Sequence, residues 1–174
     1  FEKTFLSQLD ALFILDANNP PKILDCNPSA TRVFGYSRKE MRGRPTDFLH
    51  VDKNTRQKFQ EHLYPAIAKQ GFFHLPEFRM KRNDGTVFPT EHTAVSLENN
   101  QGERIGWVSV IRDISERKRA EDALREREHY FRSLLFNMHE DILVIDRDHR
   151  VTDVNNTLQV ATGLKYEEVI GRHC

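Results

Sequence analysis

A chain of 174 residues in which 26 basic side chains are matched by 26 acidic ones carries no formal net charge. Nucleic acid and an anionic membrane both call for a basic face, so neither is expected as the main partner. No apolar run approaches the length of a membrane span, and the start Phe1-Glu2-Lys3 is not built like a signal peptide. Two cysteines, Cys26 and Cys174, cannot form a disulfide framework, so a cytosolic location is the natural reading, with any membrane anchor lying elsewhere in a parent protein.

Leu12-Phe13-Ile14-Leu15 and Lys22-Ile23-Leu24-Asp25 read as two strands around the turn Asn18-Asn19-Pro20-Pro21. Asn27 is a good N-cap with Pro28 at the first helical position, and Gly35 stops that helix. Ser37 with Glu40 three residues on has capping-box spacing for a further turn. Asp52 opens a longer helix with Phe59, Leu63, Ala66 and Ile67 along one face; Pro65 should distort it and Gly71 ends it. The period then changes to two. Phe78 to Lys81 alternates, Asn83-Asp84-Gly85 is a hairpin turn, Val87 to Leu97 is a second strand and Ile105 to Ile114 a third. Val108 and Val110 make that last strand apolar on both faces, so a partner subunit is expected to cover the face the helices do not. Twelve phenylalanines imply an aromatic-rich core.

Asp113 and Glu116 have capping-box spacing for a charged connector helix beginning at Ile114. Ala120, Leu124, Arg127, Phe131 and Leu134 recur at alternating spacings of four and three, a short seam that Arg127 weakens. The pattern then starts over. Phe1-Glu2-Lys3-Thr4-Phe5-Leu6 returns as Phe131-Arg132-Ser133-Leu134-Leu135-Phe136, and Asp25-Cys26-Asn27 as Asp153-Val154-Asn155. Gly35 is answered by Gly163, Glu40 by Glu168, and Gly43-Arg44 by Gly171-Arg172. A period of about 130 residues is the size of a whole domain rather than of a solenoid repeat. The expected organisation is a complete module at residues 1–115, a linker helix at 116–134, and at 135–174 the opening part of a second copy. Without closing strands of its own, that second part is expected to be disordered or to borrow an edge from another chain.

Several motifs in this order carry a resemblance: Asp25-Cys26-Asn27-Pro28-Ser29-Ala30, Phe34-Gly35-Tyr36-Ser37, Glu40-Met41-Arg42-Gly43-Arg44, Asp47-Phe48-Leu49-His50, Arg82-Asn83-Asp84-Gly85-Thr86 and Arg112-Asp113-Ile114-Ser115-Glu116-Arg117-Lys118. Together they resemble the PAS domain. The resemblance implies an α+β fold in which a five-stranded antiparallel sheet, with helices packed on one face, encloses a small pocket and is followed by a long linker helix. It also implies that the exit segment relays a signal, with Arg112, Asp113, Ser115 and Arg117 as the relay residues. The walls of the pocket are expected from Leu12, Ile14, Phe48, Phe59, Leu63 and Ile67, and from Phe78, Met80, His92, Val108 and Val110. His92 is the polar candidate, sharing an alternation with Phe88 and Ala94, so that Glu91 should point outward; the opposite alternation swaps their roles.

The identity of a cofactor is not legible. The light-sensing branch of the family has Gly-Arg-Asn-Cys-Arg-Phe-Leu where this chain has Gly43-Arg44-Pro45-Thr46-Asp47-Phe48-Leu49. Thr46 at the photoactive position makes a flavin–cysteinyl adduct unavailable to the complete module, and Cys174 restores a cysteine only in the second copy. His62 lies on the long helix but lacks a matching haem-ligand spacing, and His50, His74 and His92 form no recognisable metal spacing. There is no phosphate-cradling glycine loop, nucleophile–base constellation or kinase motif, so no catalysis is expected of the chain itself. The reading is a sensory input region of a bacterial multi-domain sensor, a histidine kinase first of all, that senses a small ligand and works as a homodimer with neighbouring PAS and output domains. The alternatives are a ligand-free interaction module, or the input domain of a diguanylate cyclase or phosphodiesterase.

Overall fold

The computed structural model describes residues 8–137 and 140–174, with the side chains of 68 and 135–137 excepted. The N-terminal segment around Phe1, Phe5 and Leu6, whose apolar side chains are expected to contribute to dimerisation, lies outside these. The chain divides into two compact units, Phe1–Arg117 and Lys118–Cys174.

In the first unit, strands β1 (Ala11–Asp16) and β2 (Ile23–Cys26) form the expected hairpin. Helix α1 (Pro28–Phe34) starts at Asn27, whose Oδ1 accepts from Ala30 N at 3.0 Å, and ends at Gly35 with φ of 76°. Helix α2 (Arg38–Met41) begins with the Ser37–Glu40 capping box. A 3-10 turn (Thr46–Leu49) follows, then α3 (Lys53–Gln70), capped by Asp52 and running unbroken through Pro65 to Gly71. Strands β3 (Phe72–Lys81), β4 (Val87–Glu98) and β5 (Arg104–Asp113) complete an antiparallel five-stranded sheet of order β2-β1-β5-β4-β3. Its centre closes tightly: a Cβ at Gly106 would lie 2.3 Å from the Leu15 carbonyl oxygen, so β5 can approach β1 this closely only as glycine.

The core forms where the helices meet the inner face. Phe13, Phe34 and Phe88 stack edge to face with centroids 5.5 and 5.6 Å apart, a geometry aromatic pairs favour. The inner face is set by β1, where Ala11, Phe13 and Leu15 are buried and Leu12 and Ile14 are only half-buried. Cross-strand partners share a face, and β1 pairs Phe13 with Ser109 and Leu15 with Trp107, so Ser109, Trp107 and Ile111 point inward. This corrects the expectation for Leu12, Ile14, Val108 and Val110, which lie on the outer face. An apolar run on both sides of a strand leaves the choice of face to the register, and the buried side goes to Trp107 and Ile111.

Helix α4 (Ser115–Asn137) begins one residue later than the spacing suggests. Ile114 is buried and donates its N–H to the Pro89 carbonyl, which ties it to β4. Asp113 therefore reaches forward to the Ser115 N–H at 2.9 Å instead of building a capping box.

Of the two expectations for the second unit, disorder is not met. Strands β6 (Leu143–Ile145) and β7 (Val151–Val154) pair with each other, followed by short helices α5 (Asn156–Thr162) and α6 (Tyr166–Val169). The reason is local. Asn155 Oδ1 accepts from Leu158 N and Ile142 N, and its Nδ2 donates to Glu140 O, so one side chain staples the strand start to the helix start. Among the described residues β6 has no second neighbour, and its Leu143 and Ile145 stay 40% and 43% exposed.

Candidate functional site

Between α3 and the inner face of the first unit lies a cavity of about 50 Å³. Strand β1 contributes Phe13 and Leu15, α3 contributes Phe59 and Leu63, and β3 contributes Met80. His92 and Ala94 come from β4, and Trp107, Ser109 and Ile111 from β5. His50, just after the 3-10 turn, is held over the end of β3 by a backbone bridge to Met80. Thr46, Gln60 and Tyr64 also line it, and Gln60 donates to Asn19 Oδ1 at 3.0 Å, joining α3 to the β1–β2 turn.

The walls are apolar apart from a few groups. His92 Nε2 lies 2.5 Å from Ser109 Oγ, and its ring stacks on Phe59 with centroids 4.7 Å apart. His50 packs against the rings of Phe59 and Phe78 at 5.5 and 5.8 Å. Both histidines are only 5% exposed, and the Nδ1 of each has no hydrogen-bond partner. Burial pushes the His92 pKa down to about 3, with His50 adding to the effect. Burial and the Arg56 guanidinium bring His50 down to about 4, so both rings are neutral near pH 7.

Of the expected wall residues, Phe59, Leu63, Met80 and His92 line the cavity. Ile67 is buried in the core but does not reach it, and Phe78 is half-buried against Phe59 and His50. Phe48 turns away, packing on Tyr36 at 4.8 Å beneath the Arg44 guanidinium, because the 3-10 turn points Leu49 inward in its place. Val110 sits on the opposite face of the sheet. Glu91 points outward, toward His74, Arg112 and Arg117. Ser109 and His50 went unrecognised as site residues. Ser109 was legible in principle, as the one polar residue in the apolar run from Trp107 to Ile111. His50 carries no such signal, since only the bridge to β3 brings it in.

A bound flavin or haem does not fit this site. About 50 Å³ is far below the roughly 300 Å³ at which ordinary ligand pockets begin. Thr46 supplies a hydroxyl where an adduct needs a thiol, and the buried Cys26, its thiol pKa raised to about 11 by desolvation, is not among the lining residues. His62 is exposed and its Nδ1 engages the Lys58 carbonyl of its own helix. Among the described residues no group of three or more metal-ligating side chains converges.

At the exit from β5, Asp113 accepts from Arg82 at 2.5 Å as well as from Ser115. Burial works against its charge, yet the hydrogen bonds from Ser115 and Arg82 hold its carboxyl below the ordinary value. Arg82 also donates to the Val33 carbonyl and lies over the Phe88 ring at 3.6 Å, so one guanidinium connects α1, the core and the exit strand. Arg112 pairs with Asp10 at 2.9 Å and, with Arg117, flanks Glu91 at 3.7 and 3.9 Å. The structure thus gathers Arg112, Asp113, Ser115 and Arg117 at one junction. Their partners Arg82, Glu91 and Asp10 come from distant parts of the first unit.

Residues 9–116 match the family described as PAS domain, and residues 129–174 match the PAS fold. The chain is 28% identical over 172 residues to sporulation kinase E of Bacillus subtilis, covering 97% of this chain and 22% of that protein. It is 25% identical over 141 residues to the nitrogen fixation regulatory protein of Klebsiella oxytoca, covering 81% of this chain and 28% of that protein. It thus spans between a fifth and a third of these relatives. The crystal structure of a PAS domain from Colwellia psychrerythraea superposes with a TM-score of 0.62 at 26% identity, covering 66% of this chain and 94% of that one. No described helix is long and apolar enough to cross a membrane. With the five-stranded antiparallel sheet, the small core cavity and the exit junction in place, the chain belongs to the PAS domain family, and its first module is a PAS sensory domain.

Proposed function

We propose that the chain is the input region of a sensor histidine kinase, in which occupancy of the cavity in the first module is relayed through α4. The observation that carries this reading is shared anchorage. β4 and β5 form a wall of the cavity through His92, Ala94 and Ser109, and the same strands hold the exit junction through Glu91, Ile114 and Asp113. A change in how the strands pack around the cavity therefore reaches the first turn of α4 through short, stiff contacts. The likeness to sporulation kinase E supports the histidine kinase context.

Filling the cavity from within tests the relay. Ala94→Val adds two methyl groups at a lining position and mimics occupancy. The distance distribution between spin labels at positions 69 and 125 is expected to shift in this variant and to stay put when Asp113→Ala is added. Identical distributions in wild type and Ala94→Val would refute the relay.

The small cavity volume favours a second reading, in which the core is filled by side chains and the module works by association alone. Mass spectrometry of the denatured protein and small-molecule stabilisation separate the two, since a ligand-free module shows neither added mass nor stabilisation. In either reading we propose a homodimer. Leu12, Ile14, Val108 and Val110 are half-buried on the outer sheet face, beside Val95 at 37% exposure. Along α4, Leu124, Phe131 and Leu134 are 59%, 58% and 43% exposed. Sedimentation equilibrium should give twice the chain mass, with Val110→Lys together with Phe131→Glu giving the monomer; a monomeric wild type at high concentration counts against the dimer.

A further inference from the structure

His50 and His92 reach the same cavity from different elements, and both present a buried Nδ1 with nothing bonded to it. Buried nitrogens without partners are costly, and natural cores leave few of them. Both rings line one space, so a guest there that draws a ring nitrogen toward itself relieves that cost. We infer that the cavity is a binding site for a neutral molecule of a few heavy atoms, whose one hydrogen-bonding group, a carboxamide or hydroxyl, is anchored by His92 and His50. This rests on the sensory reading above and specifies its ligand.

The class follows from the walls. No carboxylate, ammonium or guanidinium is among the lining residues, so neither an anion nor a cation would find a counter-charge there. Asp47 and Arg56, the charged groups acting on His50, are paired with each other. Both imidazoles are neutral near pH 7 because burial lowers their pKa values. The His92–Ser109 contact keeps one donor and one acceptor on offer in either tautomer. If the Ser109 hydroxyl donates to Nε2, His92 Nδ1 carries the free proton and Oγ still accepts. If Nε2–H donates to Oγ, Nδ1 accepts and the hydroxyl proton is free. A group that both donates and accepts satisfies either arrangement. Phe13, Leu63 and Met80 leave a short apolar remainder in contact with carbon and sulfur. The cavity of about 50 Å³ limits the guest to a few heavy atoms.

Acetamide, acetate and acetamidinium have the same shape and differ in charge, so they test the class directly. The chain, labelled with ¹⁵N-histidine, is titrated with each at pH 7.5 while the ring nitrogens are followed by NMR. Acetamide should shift the His92 and His50 Nδ1 signals saturably, and the two ions should not. His92→Phe, which keeps a flat ring on Phe59, should weaken acetamide at least tenfold. No saturation with acetamide, equal saturation with acetate, or unchanged binding in His92→Phe overturns the assignment. The comparison among the three probes needs only the wild type, so it stands even if the variant does not fold. If Ala94→Val moves the linker while acetamide fails to bind, the ligand class is wrong and the sensory reading survives. If acetamide binds and the linker never moves, the reverse holds.

Discussion

Lowering the pH from about 6.5 to about 4 will strip several kcal/mol from the stability of the first unit, with most of the loss due to His50 and His92. An unfolded histidine takes up its proton near the ordinary value of 6.5, whereas folding holds His50 down to about 4 and His92 to about 3. Between those limits the unfolded state binds more protons than the native state, so stability falls as pH falls. Above about 6.5 both rings are neutral in both states and the contribution is complete. Each histidine adds a slope of about 1.4 kcal/mol per pH unit inside its window. The main cause is desolvation: a charged imidazole in this apolar surrounding has no free carboxylate to pair with, since Asp47, which acts on His50, is held by Arg56. Asp25 and Asp113, held low by Arg38 and by Ser115 and Arg82 respectively, extend the loss to still lower pH. Trp107 is the single tryptophan and is buried in this unit, so its fluorescence in urea melts between pH 7.5 and 4.5 reports the unit alone. His92→Phe should roughly halve the slope. A flat stability between pH 7 and 5 would show that water reaches these rings freely.

Asn27→Ala is expected to cost about 3 kcal/mol, well beyond the loss of an ordinary helix cap. A cap alone is worth about 1 kcal/mol, the figure expected for Ser37→Ala at the exposed start of α2. Asn27 does more. It is 1% exposed; Oδ1 accepts from Leu12 N as well as Ala30 N, and Nδ2 donates to the Asp10 carbonyl at 2.9 Å. Alanine would leave the N–H of half-buried Leu12 and the carbonyl of half-buried Asp10 without that bond, at about 1–3 kcal/mol for each group. Asn27→Asp keeps the acceptor and loses the donor, so it should fall between wild type and alanine. Equal losses for Asn27→Ala and Ser37→Ala in the same melts would reduce Asn27 to a simple cap. The motif works in the second unit too, where Asn155 makes the same three bonds.

The punctuation of the fold was written locally. Asn27 with Pro28, Gly35, Ser37 with Glu40, Asp52, Gly71 and Gly85 each act within a few residues of themselves, and every one ends or starts an element where its chemistry requires. The repeat was equally legible, because a module used twice reuses the same local signals. Phe59, Leu63, Met80 and His92 could be read into the cavity since their alternation or helical spacing has one buried side. Val110 and Phe48 could not, because Ile111 and Leu49 beside them compete for the interior with equally apolar side chains.

What the sequence by itself determined was therefore the kind of module and its order of elements, both set by interactions between residues close along the chain. Tertiary structure alone decided which face of β5 is inside, that Arg82 would close on Asp113 across 31 residues, and that His50 would meet His92 in one cavity. Those outcomes depend on strand register and on the cost of burying charge. Neither acts until distant segments have come together.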